Sequence, residues 1–199
     1  GFPKSFGVSY AKNTVKHLQE IIGILSDAGV MSQGVLSLQS MDADTLQVIH
    51  RSNIKTERYD ALADRMREAQ LPLMVELMMG LPGQTVDSFA GDLQECIERE
   101  VPARINRTTL LVNSPMNDPE YLAENQIRTR EALVPGRNAI VITTATSTET
   151  EWGEMERLRL EFGYFENYGV LRLLSRYVRQ HAGIREIDLY REMGVRVLA

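Results

Sequence analysis

The sequence predicts an α/β protein: three parallel strands with crossover helices, forming part of a barrel, followed by a mainly helical extension. Three observations carry this reading. Strand-length apolar runs alternate with amphipathic helix-length runs between residues 14 and 113, the run at 73–80 is apolar on both faces, and spacing beyond residue 131 is mostly helical. The division is therefore residues 1–130 for the barrel piece and 131–199 for the extension. At 199 residues, 43% hydrophobic and 25% charged, the chain can bury a core without disulfide staples.

After an irregular start, Val15, Leu18, Ile22 and Leu25 line one face of a helix over 14–28 that Gly29 ends. GVLSLQS, residues 34–40, alternates as a strand, with Val35, Ser37 and Gln39 on one side and Leu36 and Leu38 on the other. Asp42 caps a short helix carrying Ala43, Leu46 and Ile49, and a second helix from about Thr56 to Ala69 carries Tyr59, Leu62, Ala63 and Met66. LMVELMMG, residues 73–80, is a strand covered on both sides. GLPGQT ends it, Thr85 caps a helix marked by Val86, Phe89, Leu93 and Ile97, and a third strand runs over 104–113. Downstream come a short helix at YLAENQI, an irregular or extended stretch at LVPGRNAIVITTATST, one or two helices from Glu149 to His181 with breaks at Gly163 and Gly169, and a last helix after Gly183.

A closed α/β barrel begins with a strand and needs more than three. Three strands alone leave an open sheet edge and an uncovered inner face, so the sequence reads as the C-terminal piece of a larger barrel, prone to self-association when isolated. Composition excludes other classes. A formal charge of −5, from 22 basic and 27 acidic residues, disfavours broad nucleic-acid binding. The longest apolar run is interrupted by Glu76 and two prolines, far short of the roughly 20 residues a membrane span needs. One cysteine, Cys96, cannot form an internal disulfide and no signal segment opens the chain, which together point to the cytoplasm.

Glu76 is the most informative residue, because a carboxylate in a buried strand needs a partner. Ser37 and Gln39 share the polar face of the preceding strand, with Gln39 at the carboxyl end where such barrels keep their active sites. Arg51 follows the short helix, where its cation complements the helix terminus. Together a carboxylate, an amide and a guanidinium at one rim would hold ribose hydroxyls, an amine and a carboxylate. Arg107, Thr109, Leu111 and Asn113 share a face of the third strand, with Asn113 at the rim. GLPGQT lacks the lysine of a phosphate loop, and its glycines would let a flat ligand approach the backbone closely. His17, His50 and His181 have no metal spacing, Cys96 reads as an ordinary helix cysteine, Met74, Met78 and Met79 as core, and the charges of EWGEMERLRLEF as a solvated face.

GVLSLQS, then LQVIHRSN, then VELMMGLPGQT resembles the second half of the barrel in radical S-adenosylmethionine enzymes. The match is to the branch holding oxygen-independent coproporphyrinogen oxidases and cobalamin-binding relatives. That family has a strand ending in Gln-Ser, an arginine twelve residues later and an acidic residue four positions before Gly-Leu-Pro; here these are Gln39, Arg51 and Glu76. The resemblance covers about residues 14–120, and the helical tail is similar to the region that follows the barrel in the cobalamin branch. It implies a partial (β/α) TIM-like barrel with S-adenosylmethionine across the strand ends. Arg51 would pair with the methionine carboxylate, Gln39 and Glu76 would hold ribose or amine groups, and Asn113 with its backbone neighbours would border the adenine, with Ser37 counted among the cofactor-binding residues. The family's three-cysteine run, C-x3-C-x2-C, is absent, and three thiolates are needed to hold its 4Fe–4S cluster. The expectation is a fragment of an oxidoreductase or methyltransferase-like enzyme, inactive alone, acting when whole on an unidentified small molecule, with cobalamin as a further cofactor. Two alternatives stand beside it: a complete, non-catalytic module that keeps the barrel remnant as a binding or assembly surface, compact and monomeric with its inner face covered, and a cofactor-free hydrolase or isomerase using Glu76 as base.

Overall fold

A computed structural model describes residues 3–6, 17–52, 56–131, 136 and 138–197. The elements in chain order are β1 (Ser5–Phe6), α1 (Leu18–Asp27), β2 (Met31–Ser32), β3 (Gly34–Gln39), α2 (Ala43–Val48), α3 (Thr56–Glu68), β4 (Leu73–Met79), α4 (Val86–Glu98) and β5 (Ala103–Arg107). They continue with α5 (Pro119–Glu124), β6 (Arg128–Arg130), β7 (Ile140–Thr143), α6 (Glu149–Phe162), α7 (Arg172–Ala182) and α8 (Glu186–Val197). β3, β4 and β5 form the expected parallel sheet in that order, with α3 and α4 in the crossovers. The N-terminal stretch adds a short parallel pair, β1 with β2, that spacing did not reveal. Val15 of the first expected helix lies outside the described residues; that helix is α1, from Leu18.

The sheet has two unlike faces. Leu36, Leu38, Val75, Leu77 and Met79 join Leu18, Ile22, Leu62, Met66, Phe89 and Leu93 in one apolar cluster under the helices. The opposite face carries Ser37, Met74, Glu76 and Met78, all half-buried; Gln39, also half-buried, lies past a bulge and pairs with Leu77. Of the three methionines expected in the core, only Met79 is there; a strand's period of two turns Met74 and Met78 the other way. The tail lies on the helix side: Met155, Leu158 and Phe162 of α6 and Ile187 and Tyr190 of α8 enter the same cluster. The charges of α6 are accordingly not a simple solvated face. Glu161 is buried, and Glu156 pairs with Arg107 and Arg159.

The third strand is shorter than expected. Pairing with β4 closes with Thr108 N–H donating to the Met79 carbonyl at 3.0 Å, after which Thr109 bridges antiparallel to Ile140 and residues 111–113 turn away. Register explains why Arg107 does not share the inner face: it pairs with Met79, so its side chain lies on the helix side against Glu156, while Arg104 and Asn106 line up with Glu76 and Met78. Residues 149–182 form two helices. Gly163 (φ −56°) is no break, because α6 runs on into a π-helical turn, Gly163–Asn167; the chain reverses at Gly169 (φ 78°).

Two caps read from the sequence hold. Asp42 accepts from Thr45 N–H at 2.8 Å, and Thr85 and Ser88 close a capping box at the head of α4. The turn after β3 is tied down from below by buried Asp92 of α4, which accepts from Ser40 Oγ at 2.7 Å and Met41 N–H at 2.8 Å. Burial pushes the Asp92 carboxyl up to about 7, against those two hydrogen bonds. The folded chain thus keeps this proton up to about 7, whereas the unfolded chain releases it near pH ~3.9. Its stabilising contribution is full below the lower value and falls as pH rises through the higher one. Asp92→Asn is expected to flatten the stability profile across that window, measured by urea unfolding at stepped pH.

Candidate functional site

The middle of the sheet's inner face is one polar row. Ser37, Glu76 and Arg104 are register partners on adjacent strands, so their side chains stand side by side. Ser37 Oγ donates to Glu76 Oε2 at 2.7 Å and Arg104 donates to Oε1. Glu76 is 16% exposed and Arg104 56% exposed. The expected partner of Glu76 is therefore a serine and an arginine. Burial drives the Glu76 carboxyl up, but the bonds from Arg104 and Ser37 and the charge of Arg104 outweigh it and hold the group below its ordinary value.

Arg51 joins this row through the backbone. α2 ends with His50 in the left-handed region (φ 51°), so Arg51 N–H turns back to the Leu46 carbonyl at 2.9 Å. The guanidinium then reaches the Ser37 carbonyl, where a bulge between Ser37 and Gln39 interrupts the ladder to β4. It serves β3 rather than the helix terminus. Burial pulls its pKa below the ordinary value, and its Nε is buried without a hydrogen-bond partner. Gln39 ends β3 at φ 72°, a backbone conformation that costs a non-glycine residue roughly 1–3 kcal/mol. Ser37, Arg51 and Glu76 are thus brought together, with Gln39 one bulge further along. Asn113 lies exposed in the turn beyond β5, and no hydrogen bond among the described residues joins it to them.

The rim at the carboxyl ends of the strands is built from loops bonded to one another. Buried Gln84 accepts from Gly80 N–H at 2.8 Å and donates to the Met78 carbonyl at 3.2 Å, which freezes the GLPGQT turn. Thr146 Oγ1 donates to the Gln84 carbonyl at 2.9 Å, and Tyr121 OH to the Val48 carbonyl at 3.2 Å. The two glycines do not open the backbone to a flat ligand. A Cβ on Gly80 (φ 78°) would meet Trp152 and one on Gly83 (φ 85°) would meet Val48, so the protein's own side chains fill those spaces. Sequence reading missed Arg104, Asn106, Tyr121 and Gln84. The first two lie in the strand read over 104–113 but on the opposite parity to Arg107, Thr109, Leu111 and Asn113, the face that was singled out; the others follow from loop packing that no local spacing encodes.

An acid of depressed pKa with both oxygens bonded makes a weak general base near neutrality, so the cofactor-free hydrolase reading finds no support here. Among the described residues no helix is long and apolar enough to cross a membrane.

No protein-family model matches the chain. Two curated proteins are similar over nearly its whole length. It is 29% identical to 2-(S-pantetheinyl)-carbapenam-3-carboxylate methyltransferase of Streptantibioticus cattleyicolor, covering 97% of this chain and 30% of that protein. It is 28% identical to the cobalamin-dependent radical SAM methyltransferase TokK of Streptomyces tokunonensis, covering 96% of this chain and 30% of that protein. The chain therefore spans about 30% of the length of these relatives. Among solved structures it resembles coproporphyrinogen III oxidase (HemN) of Escherichia coli, a radical SAM enzyme, with a TM-score of 0.50 at 17% identity over 83% of this chain and 32% of that one. The resemblance drawn from Gln39, Arg51 and Glu76 thus extends to both sequence and fold.

If Arg104 is what keeps Glu76 ionised, Arg104→Ala will move the Glu76 titration upward, toward or past the ordinary carboxyl value. Carboxyl-carbon NMR titration checks this; an unmoved midpoint would leave Ser37 as the dominant partner.

Proposed function

We propose that this chain carries the second half of the barrel of a cobalamin-dependent radical S-adenosylmethionine methyltransferase, and with it one side of the S-adenosylmethionine site. The observation that carries the reading is the convergence of Arg51 and Glu76 on Ser37, three residues from three separate segments. The fit to the cofactor rests on donors and acceptors of this chain. The buried, unpartnered Nε of Arg51 is a cationic donor suited to a carboxylate, and Glu76 with Gln39 offers acceptors for an ammonium or ribose hydroxyls. Arg104 and Ser37 keep Glu76 ionised for that role, and the inner face shields it from bulk water. When bound and reduced, the cofactor supplies radical initiation.

A 4Fe–4S cluster does not fit the residues present. Cys96, the one thiol of the chain, is buried in α4 under the helices, and burial raises its pKa far from the thiolate form that ligation requires. We therefore read the chain as inactive by itself, with cluster and cobalamin held elsewhere in a longer cytoplasmic protein acting on a small molecule.

Adding S-adenosylmethionine to the isotopically labelled chain is expected to shift the NMR signals of Ser37, Gln39, Arg51 and Glu76; shifts confined to other residues, or none, would overturn the reading. In the longer protein loaded with its cluster, Arg51→Ala removes a charge-assisted contact of about 1.5–3 kcal/mol, so KM for S-adenosylmethionine should rise roughly ten- to a hundredfold.

A further inference from the structure

We propose that the groove along the outer edge of β5 is a binding site for a small molecule that carries one carboxylate on an apolar body. The groove has a volume of about 560 Å³, within the roughly 300–1,000 Å³ of small-molecule sites. It opens at the amino ends of β4 and β5, away from Gln39 at the carboxyl end of β3, and its occupancy does not require S-adenosylmethionine. One wall is the sheet, through Met74, Arg104 and Ile105; the other is α6 and the π-helical turn that follows it, through Leu160, Tyr164 and Tyr168.

The π-helical turn shapes the second wall. Tyr168 N–H closes it on the Gly163 carbonyl at 3.0 Å, and this wider turn leaves the Tyr164 and Tyr168 rings 6.0 Å apart, both lining the groove. Such turns within α-helices recur at functional sites. Tyr164 is 61% exposed and Tyr168 81%, with Leu160 one turn before them, so an apolar body has faces to lie on. The sheet wall disfavours an added strand as the occupant. The Pro102 carbonyl bonds inward to Val75 N–H, so that of Ala103 points outward, and Asn167 Nδ2 already donates to it at 2.8 Å. A neighbouring strand would need that acceptor.

The charges select the ligand's polar end. Among the described residues, two arginines and no acid line the groove. Arg159 is held through two N–H groups by Glu156, which also takes Arg107, and Arg104 donates to Glu76. Three arginines against two glutamates leave one positive charge, which matches a single carboxylate better than the nearly double charge of a phosphate monoester. Arg104 is the group that can receive it. Its side chain is 56% exposed, a guanidinium has five N–H donors, and no other hydrogen bond to a described residue engages it. The planar fork suits a carboxylate. Because the same guanidinium holds Glu76 ionised, an anion in the groove offsets part of the charge that Glu76 feels and moves its titration upward.

The test titrates phenylbutyrate into the isotopically labelled 199-residue chain and follows it by NMR. Saturable shifts are expected at Met74, Tyr164, Asn167 and Tyr168, and the Glu76 midpoint should rise as the site fills. The uncharged phenylbutanamide should bind roughly ten- to a hundredfold more weakly. Arg104→Gln should abolish that preference for the carboxylate, and Tyr168→Ser, at an exposed position, should weaken both compounds several-fold. Should Arg104→Gln fail to fold, the amide comparison on the unmodified chain and Tyr168→Ser decide. No saturable shift in the groove, an amide that binds as well as the carboxylate, tighter binding of phenyl phosphate, or unchanged binding by Tyr168→Ser would each overturn the proposal. A response to S-adenosylmethionine at Arg51 with none to phenylbutyrate here would overturn it while leaving the proposed function intact.

Discussion

One carboxylate organises the inner half of this molecule. Glu76 sits at the centre of the middle strand on a half-buried face, where an unsatisfied charge would cost several kcal/mol. Its two oxygens are met from both sides, by Ser37 on β3 and Arg104 on β5. That requirement fixes register. Sliding β5 by one residue would turn Arg104 into the apolar layer and bring Ile105 opposite the acid, and sliding β3 would put a leucine there. The alternation of apolar residues on the helix side specifies the same register from the other face, so two independent constraints agree.

The rim inherits this rigidity. Arg51 is held to the Ser37 carbonyl, so the segment after α2 is attached to the residue that also bonds Glu76. Asp92 anchors the next turn from the helix layer, and Gln84 braces the one after β4. The strained backbone of Gln39 lies between two of these anchors. Such strain persists only where its surroundings over-determine it.

Much of this was legible in the sequence because the signals are local. Period-two and period-3.6 spacing located β3, β4, α3 and α4, and capping residues located the starts of α2 and α4. The need for a partner at Glu76 follows from burial alone. What stayed hidden depends on contacts between distant segments. The early end of β5 is set by β7 arriving at Thr108–Leu110, the loss of Arg107 from the inner face by its register with Met79, and the packing of GLPGQT by Val48 and Trp152. Asn113 was placed by extending a strand past the point where its neighbour leaves it.

The π-helical turn between α6 and α7 brings Glu166 inward, and with Glu186 it gathers three arginines from a single helix. Mobile ions weaken exposed pairs far more than occluded ones. The tail should consequently stay seated in concentrated electrolyte even as the outlying bridges, such as Arg67 with Asp64, dissolve into counterions.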